Sequence, residues 1–105
     1  MGYGGIKTIY GGQEYDSKAE SRYAQELDLR KKAGEIKEIK SQFKLPLYVQ
    51  GKLICNYIAD FMVILPDGSM QIHEVKGFKT GVFKIKWKLA QALYEDKYKF
   101  ILIKV

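Results

Sequence analysis

The chain has 105 residues, 47% of them hydrophobic and 29% charged, so its length suits one globular domain and its composition excludes an extended disordered polymer. No run of about 18 apolar residues is present, which leaves no candidate membrane span. The opening Met1-Gly2-Tyr3-Gly4-Gly5-Ile6 is too polar and glycine-rich for a signal peptide, and Ile6 stands where an acylation signal needs Ser or Thr. Cys55 is the only cysteine, which excludes an intrachain disulfide and a zinc site built on two cysteines, and points to a reducing cytoplasm.

The formal net charge is +6 and it is unevenly placed. Ten Lys/Arg and ten Asp/Glu cancel between Met1 and Val75, whereas the last 30 residues carry eight Lys against Glu95 and Asp96. Such a block is the footprint expected of a polyanion-binding surface, and equally of a lysine-rich soluble one.

Residues 1–15 hold five of the ten glycines and three tyrosines, and read as a flexible arm with room for a short strand at Lys7–Tyr10. Residues 16–105 read as the single domain. Ser17-Lys18-Ala19-Glu20 matches a capping box, and Ala19, Tyr23, Ala24 and Leu27 recur at helical spacing, which predicts a helix over 17–32. Ala33-Gly34 supplies its stop, with Arg30, Lys31 and Lys32 placed favourably against the helix dipole. A strand follows around Ile36 to Leu47, limited by Pro46. The strongest strand signal is Ile54 to Leu65, and Pro66-Asp67-Gly68-Ser69 is a turn joining it to a hairpin partner at Met70–Lys76. Gly77 interrupts the pattern. A second helix is predicted over 80–94, its apolar stripe being Val82, Ile85, Leu89, Ala92 and Leu93, with Lys84, Lys86 and Lys88 on other sides. Tyr98–Val105 is a β-rich run. The order α-β-β-β-α-β implies an α/β (α+β) fold with a central mixed sheet flanked by helices.

On the predicted hairpin, Glu74 and Lys76 share a face with Ile72, and Asp60 is expected on one face with Ile58 and Met62. Counting out from the turn brings Asp60 beside Glu74 and Lys76. Ionised groups among Ile, Met, Val and Phe are costly unless paired or metal-bound. Two hard carboxylate oxygens at short range suit Mg2+ or Mn2+, and a nearby lysine can orient a water; the competing account is a buried salt bridge. Gln42 is a weaker candidate for the same site. His73 should face away from Glu74, and Trp87 is a packing residue or a base-stacking one. Lys79, Thr80, Lys84, Lys86 and Lys88 are candidate phosphate contacts, or a solvated helix face.

The segments Tyr57-Ile58-Ala59-Asp60 and Glu74-Val75-Lys76-Gly77, with fourteen positions from Asp60 to Glu74, resemble the PD-(D/E)XK nuclease signature. The fuller run, with Tyr15 to Glu20, Gly34-Glu35-Ile36, Gln42 and Thr80, is similar to small phage-encoded proteins placed near Holliday-junction resolvases. It departs from the superfamily's name at Ala59, where proline is usual. The resemblance implies a restriction-endonuclease-like core, Asp60 and Glu74 as metal ligands, Lys76 as catalytic lysine, and Glu20 as a further acidic ligand in competition with its capping role. It further implies an Mg2+- or Mn2+-dependent endonuclease leaving 5′-phosphate ends on DNA, with branched DNA as substrate in the resolvase manner, acting as a homodimer in the host cytoplasm. The alternatives are a nicking or general structure-specific DNase, and a non-catalytic DNA-binding protein on a nuclease-like fold.

Overall fold

The computed structural model describes residues 18–76 and 80–104, together with the backbone of 8–10 and 13–15; at Lys76 it describes the backbone alone. The elements are β1 (Thr8–Tyr10), β2 (Gln13–Tyr15), α1 (Lys18–Lys32), β3 (Glu38–Val49), β4 (Lys52–Ile64), β5 (Met70–Lys76), α2 (Gly81–Tyr94) and β6 (Tyr98–Lys104). After a small β1–β2 hairpin, the order is α-β-β-β-α-β.

Helix α1 ends in a Schellman arrangement: Gly34 N–H donates to Lys31 O and Glu35 N–H to Arg30 O, with Gly34 at φ +83. Its inward row is Glu20, Ala24 and Leu27 with Tyr23, the side expected from the spacing. Ser17, the proposed cap, lies outside the described residues.

Four strands form one mixed sheet in the order β3-β4-β5-β6, antiparallel except for the parallel β5–β6 pair. Asp67 makes the tight turn between β4 and β5, its carboxylate accepting from Ser69 N–H and Oγ–H. A second hairpin turn, Gln50-Gly51, joins β3 to β4, both residues having positive φ (50 and 77) as a two-residue hairpin demands. This turn lengthens β4 to begin at Lys52, two residues before the predicted start at Ile54. Pro46 sits in β3, which is an edge strand, so its missing N–H costs the sheet no ladder bond.

The helices cover opposite faces. Helix α1 packs Tyr23, Ala24 and Leu27 on Ile36, Phe61, Val63 and Val75. Helix α2 packs Phe83 and Ala90, with Trp87, on Leu45, Leu47, Tyr57, Ala59, Met62 and Ile72. Of the predicted stripe only Leu89 turns inward: Val82 and Ile85 are 64% and 68% exposed, and Ala92 and Leu93 are exposed too. The helix carries two apolar stripes, and the aromatic one is buried because Phe83 and Trp87 remove more apolar surface from water. Trp87 stacks on Phe83 with centroids 5.6 Å apart and meets Phe100 edge-on at 5.4 Å, which is a packing role.

Leu27 is fully buried on the α1 side. Leu27→Ala should destabilise the protein by about 3 kcal/mol, read as a lower urea midpoint with an unchanged slope.

Candidate functional site

The site is assembled where the sheet changes its regularity. The β4–β5 ladder runs from Ile64↔Met70 to Phe61↔His73; at Asp60 a side chain replaces the next backbone partner, its Oδ2 accepting from Val75 N–H at 2.7 Å. At the same level the alternation of side chains reverses in β3 and β4. Ile39 and Val63, which pair, face α1, whereas Phe43 and Ala59, which also pair, face α2. On regular strands 39 and 43, or 59 and 63, would share a face. Asp60 therefore does not share a face with both Ile58 and Met62: Met62 is buried toward α2, while Ile58 is exposed between the inward-facing Tyr57 and Ala59. The regular alternation assumed from sequence fails at Asp60 itself.

This irregularity gathers three carboxylates. Glu20 and Glu74 are buried, at 5% and 3% exposure. Asp60 lies between them and hydrogen-bonds Glu20. Burial, then the charges of Glu74 and Glu20, push the Asp60 carboxyl up to about 9, against the smaller downward pull of the Val75 N–H. Tyr57 donates its hydroxyl to Glu74 Oε1, and Gln42 Nε2 donates to Glu20 Oε2 at 2.9 Å. Glu20 thus points into the site from the first turn of α1.

Among the described residues, no group of three or more His, Cys, Asp or Glu side chains is placed so that it could hold a metal ion. Of the expected site residues, Asp60, Glu74, Glu20 and Gln42 come together. Lys76 follows Glu74 on β5, its backbone paired with Lys104, and its side chain lies outside the described residues, as does Lys79 entirely. Thr80 caps α2, its Oγ1 accepting from Phe83 N–H at 3.0 Å. Lys86 Nζ donates to Asn56 O at 3.1 Å. Lys84 and Lys88 are exposed and line a shallow groove with Phe83, Trp87 and Leu102.

Tyr57 is the member that the sequence reading missed. It stands three positions before Asp60, which regular alternation places on the opposite face; only the reversal brings its hydroxyl to the site. Its signal was a tyrosine in an otherwise apolar strand, whose polar tip needs a partner when buried.

His73 faces away from Glu74, as expected, and toward Tyr23 of α1. It is buried, Nδ1 accepting from Tyr23 Oη–H at 2.6 Å and Nε2 donating to Gln71 Oε1 at 2.8 Å. Burial first, and the Arg30 charge second, lower its pKa to about 4. It is a structural residue of the α1 face.

The fold is α+β, with helices on both faces of a four-stranded mixed sheet and a carboxylate cluster at an internal break in that sheet. The chain belongs to the family described as "Protein of unknown function (DUF1064)", whose model matches residues 1–105. Comparison with curated proteins and with solved structures returns no match.

The neutral His73 makes a pH prediction. Its folded pKa of about 4 lies below the ordinary 6.5, so between those values the unfolded chain binds more protons and stability falls as pH falls. His73→Gln should flatten this slope, retaining about 2 kcal/mol more of its own neutral-pH stability at pH about 4 than the wild type does, in urea titrations at matched pH. Parallel slopes for the two proteins would refute a buried neutral imidazole.

Proposed function

We propose that this chain is a metal-dependent DNA endonuclease of the PD-(D/E)XK type, acting on branched DNA in the manner of a junction resolvase. The observation that carries this reading is Asp60, held between the carboxylates of Glu74 and Glu20 in a partly desolvated site, an arrangement costly for folding alone. The spacing of Asp60, Glu74 and Lys76 on β4 and β5 is the resemblance set out above.

The donor chemistry fits a hard divalent cation: Asp60 and Glu74, with Glu20, offer only carboxylate oxygens. Among the described residues no three such side chains are placed together as a metal-holding group, so Asp60 and Glu74 would be the main protein ligands, with water and a substrate phosphate supplying the rest. When bound, Mg2+ or Mn2+ supplies charge neutralisation at the phosphate and a lowered pKa for an attacking water. The chain's own residues orient the site. Tyr57 holds Glu74, the Val75 N–H holds Asp60, and Lys76, next but one on β5, is assigned to the attacking water. Lys84 and Lys88 on α2 are assigned to the DNA backbone, where they add affinity without base specificity. Lys79 is retained in that role from the sequence; Lys86 and Thr80 each already hold a structural bond.

A second reading is favoured by one bond. The Asp60 carboxylate satisfies the Val75 N–H where β4 leaves β5, which is a structural role, and a non-catalytic DNA-binding protein needs no more than that.

The test is cleavage of labelled four-way junction, duplex and single-stranded DNA with Mg2+ or Mn2+, beside Asp60→Ala. Metal-dependent cutting that falls at least about 100-fold in the variant is expected, with the junction cut fastest. Binding without cutting on every substrate, with EDTA or without, establishes the second reading instead.

The raised Asp60 pKa also sets a pH dependence. With the Asp60 carboxyl raised to about 9, Mn2+ binding there would be coupled to the loss of a proton, so apparent Mn2+ affinity should weaken as pH falls from about 9, by up to about tenfold per pH unit. Calorimetry at pH about 6.5 and about 8.5 measures it, and equal affinities would remove Asp60 from the ligand set.

A further inference from the structure

Gln42 lies within β3 with φ +52, the left-handed region that costs any residue with a Cβ and is rare in a strand interior. The pairs on either side of it are Ser41↔Phe61 and Phe43↔Ala59, so it stands opposite Asp60. It is also the point at which β3 reverses its faces, from Ile39 toward α1 to Phe43 toward α2. Glycine would make this kink without strain. Glutamine adds an amide, and that amide donates to Glu20, a buried carboxylate on a different element, 22 residues away in sequence. Strain of this kind persists only where the surroundings hold it, and here it sits beside the carboxylate cluster.

We propose that Gln42 is a positioning residue of that cluster: the left-handed kink aims its amide at Glu20 and sets the Glu20 carboxylate against Asp60 for a divalent cation. The proposal rests on the cation-binding reading of the site. It goes beyond that reading by assigning the backbone irregularity, and the residue type at its centre, to ligand geometry. Gln42 acts through Glu20 and touches neither substrate nor metal.

The experiment measures Mn2+ affinity by calorimetry and thermal midpoint by calorimetric scan on the full chain. The proteins are wild type, Gln42→Gly, Glu20→Gln and the double variant. Gln42→Gly keeps the kink and relieves its strain, so its thermal midpoint should stay close to that of the wild type while Mn2+ affinity falls about tenfold, the usual cost of losing a residue that orients a ligand. The double variant should bind no more weakly than Glu20→Gln alone, since the amide then has no carboxylate to hold. A merely structural Gln42 would lower the midpoint and leave affinity in place. Wild-type affinity in Gln42→Gly, or additive losses in the double variant, would overturn the proposal and leave the cation site standing. A wild-type protein that binds no Mn2+ overturns both. Should Gln42→Gly fail to fold, Gln42→Asn replaces it: asparagine tolerates the left-handed backbone but is one methylene too short to reach Glu20, and the same loss of affinity is expected.

Discussion

The Asp60 carboxylate occupies a position that in a regular sheet belongs to a backbone group. By accepting the Val75 N–H it satisfies the ladder where β4 parts from β5, and by standing there it meets Glu74 and Glu20. Its burial makes the charged form expensive, and the two neighbouring carboxylates make it more so. A group so placed must be protonated, or compensated by a cation. The remaining polar features of the region answer to that requirement: the Tyr57 hydroxyl on Glu74 and the Gln42 amide on Glu20 orient the surrounding oxygens with neutral donors.

The sheet makes this possible by breaking its own rule. Beyond the Phe61↔His73 pair, β3 and β4 continue as a ribbon that no longer pairs with β5, and the faces of that ribbon are exchanged relative to the rest of the sheet. The exchange lets α1 bury Phe61 and Val63 on one side while α2 buries Tyr57 and Ala59 on the other. Two apolar layers thus meet at a polar seam, and the seam is the site. Hydrophobic burial on both flanks supplies the stability against which the seam's desolvation and backbone strain are set. The His73–Tyr23 bond on the α1 side and the Tyr57–Glu74 bond on the α2 side show the same economy, each tyrosine burying its ring and giving its hydroxyl to a buried polar group.

The lysine-rich last third separates into different roles once folded. Lys86 is tied to Asn56 O, whereas Lys84 and Lys88 stay exposed beside an apolar groove. The charge excess is therefore not one uniform patch. The exposed apolar stripe of Val82, Ile85 and Leu93 runs along the same helix, so α2 presents both hydrophobic and cationic groups to its surroundings.

Element order, both helices, the β4–β5 turn and the nearness of Asp60 to Glu74 were legible in the sequence, because each rests on local chemistry: helical spacing, turn-forming Pro-Asp-Gly, and ionisable groups stranded among apolar ones; Glu20 entered only through the family resemblance. The Ala19, Tyr23, Ala24, Leu27 spacing also marked the side of α1 that meets the sheet, since a helix face depends only on spacing. What the tertiary structure decided was every matter that depends on more than one strand. The inward face of α2 could not be chosen from two apolar stripes without knowing which one the sheet's aromatic and aliphatic groups would receive. The face of Asp60, and with it the recruitment of Tyr57, depended on a reversal in β3 and β4 that period-2 reasoning assumes away. Gln42 carries no local signal for a left-handed backbone. Its conformation belongs to the reversal of β3 between two flanking strand pairs, and its bond to Glu20 exists only when α1 and the sheet are assembled.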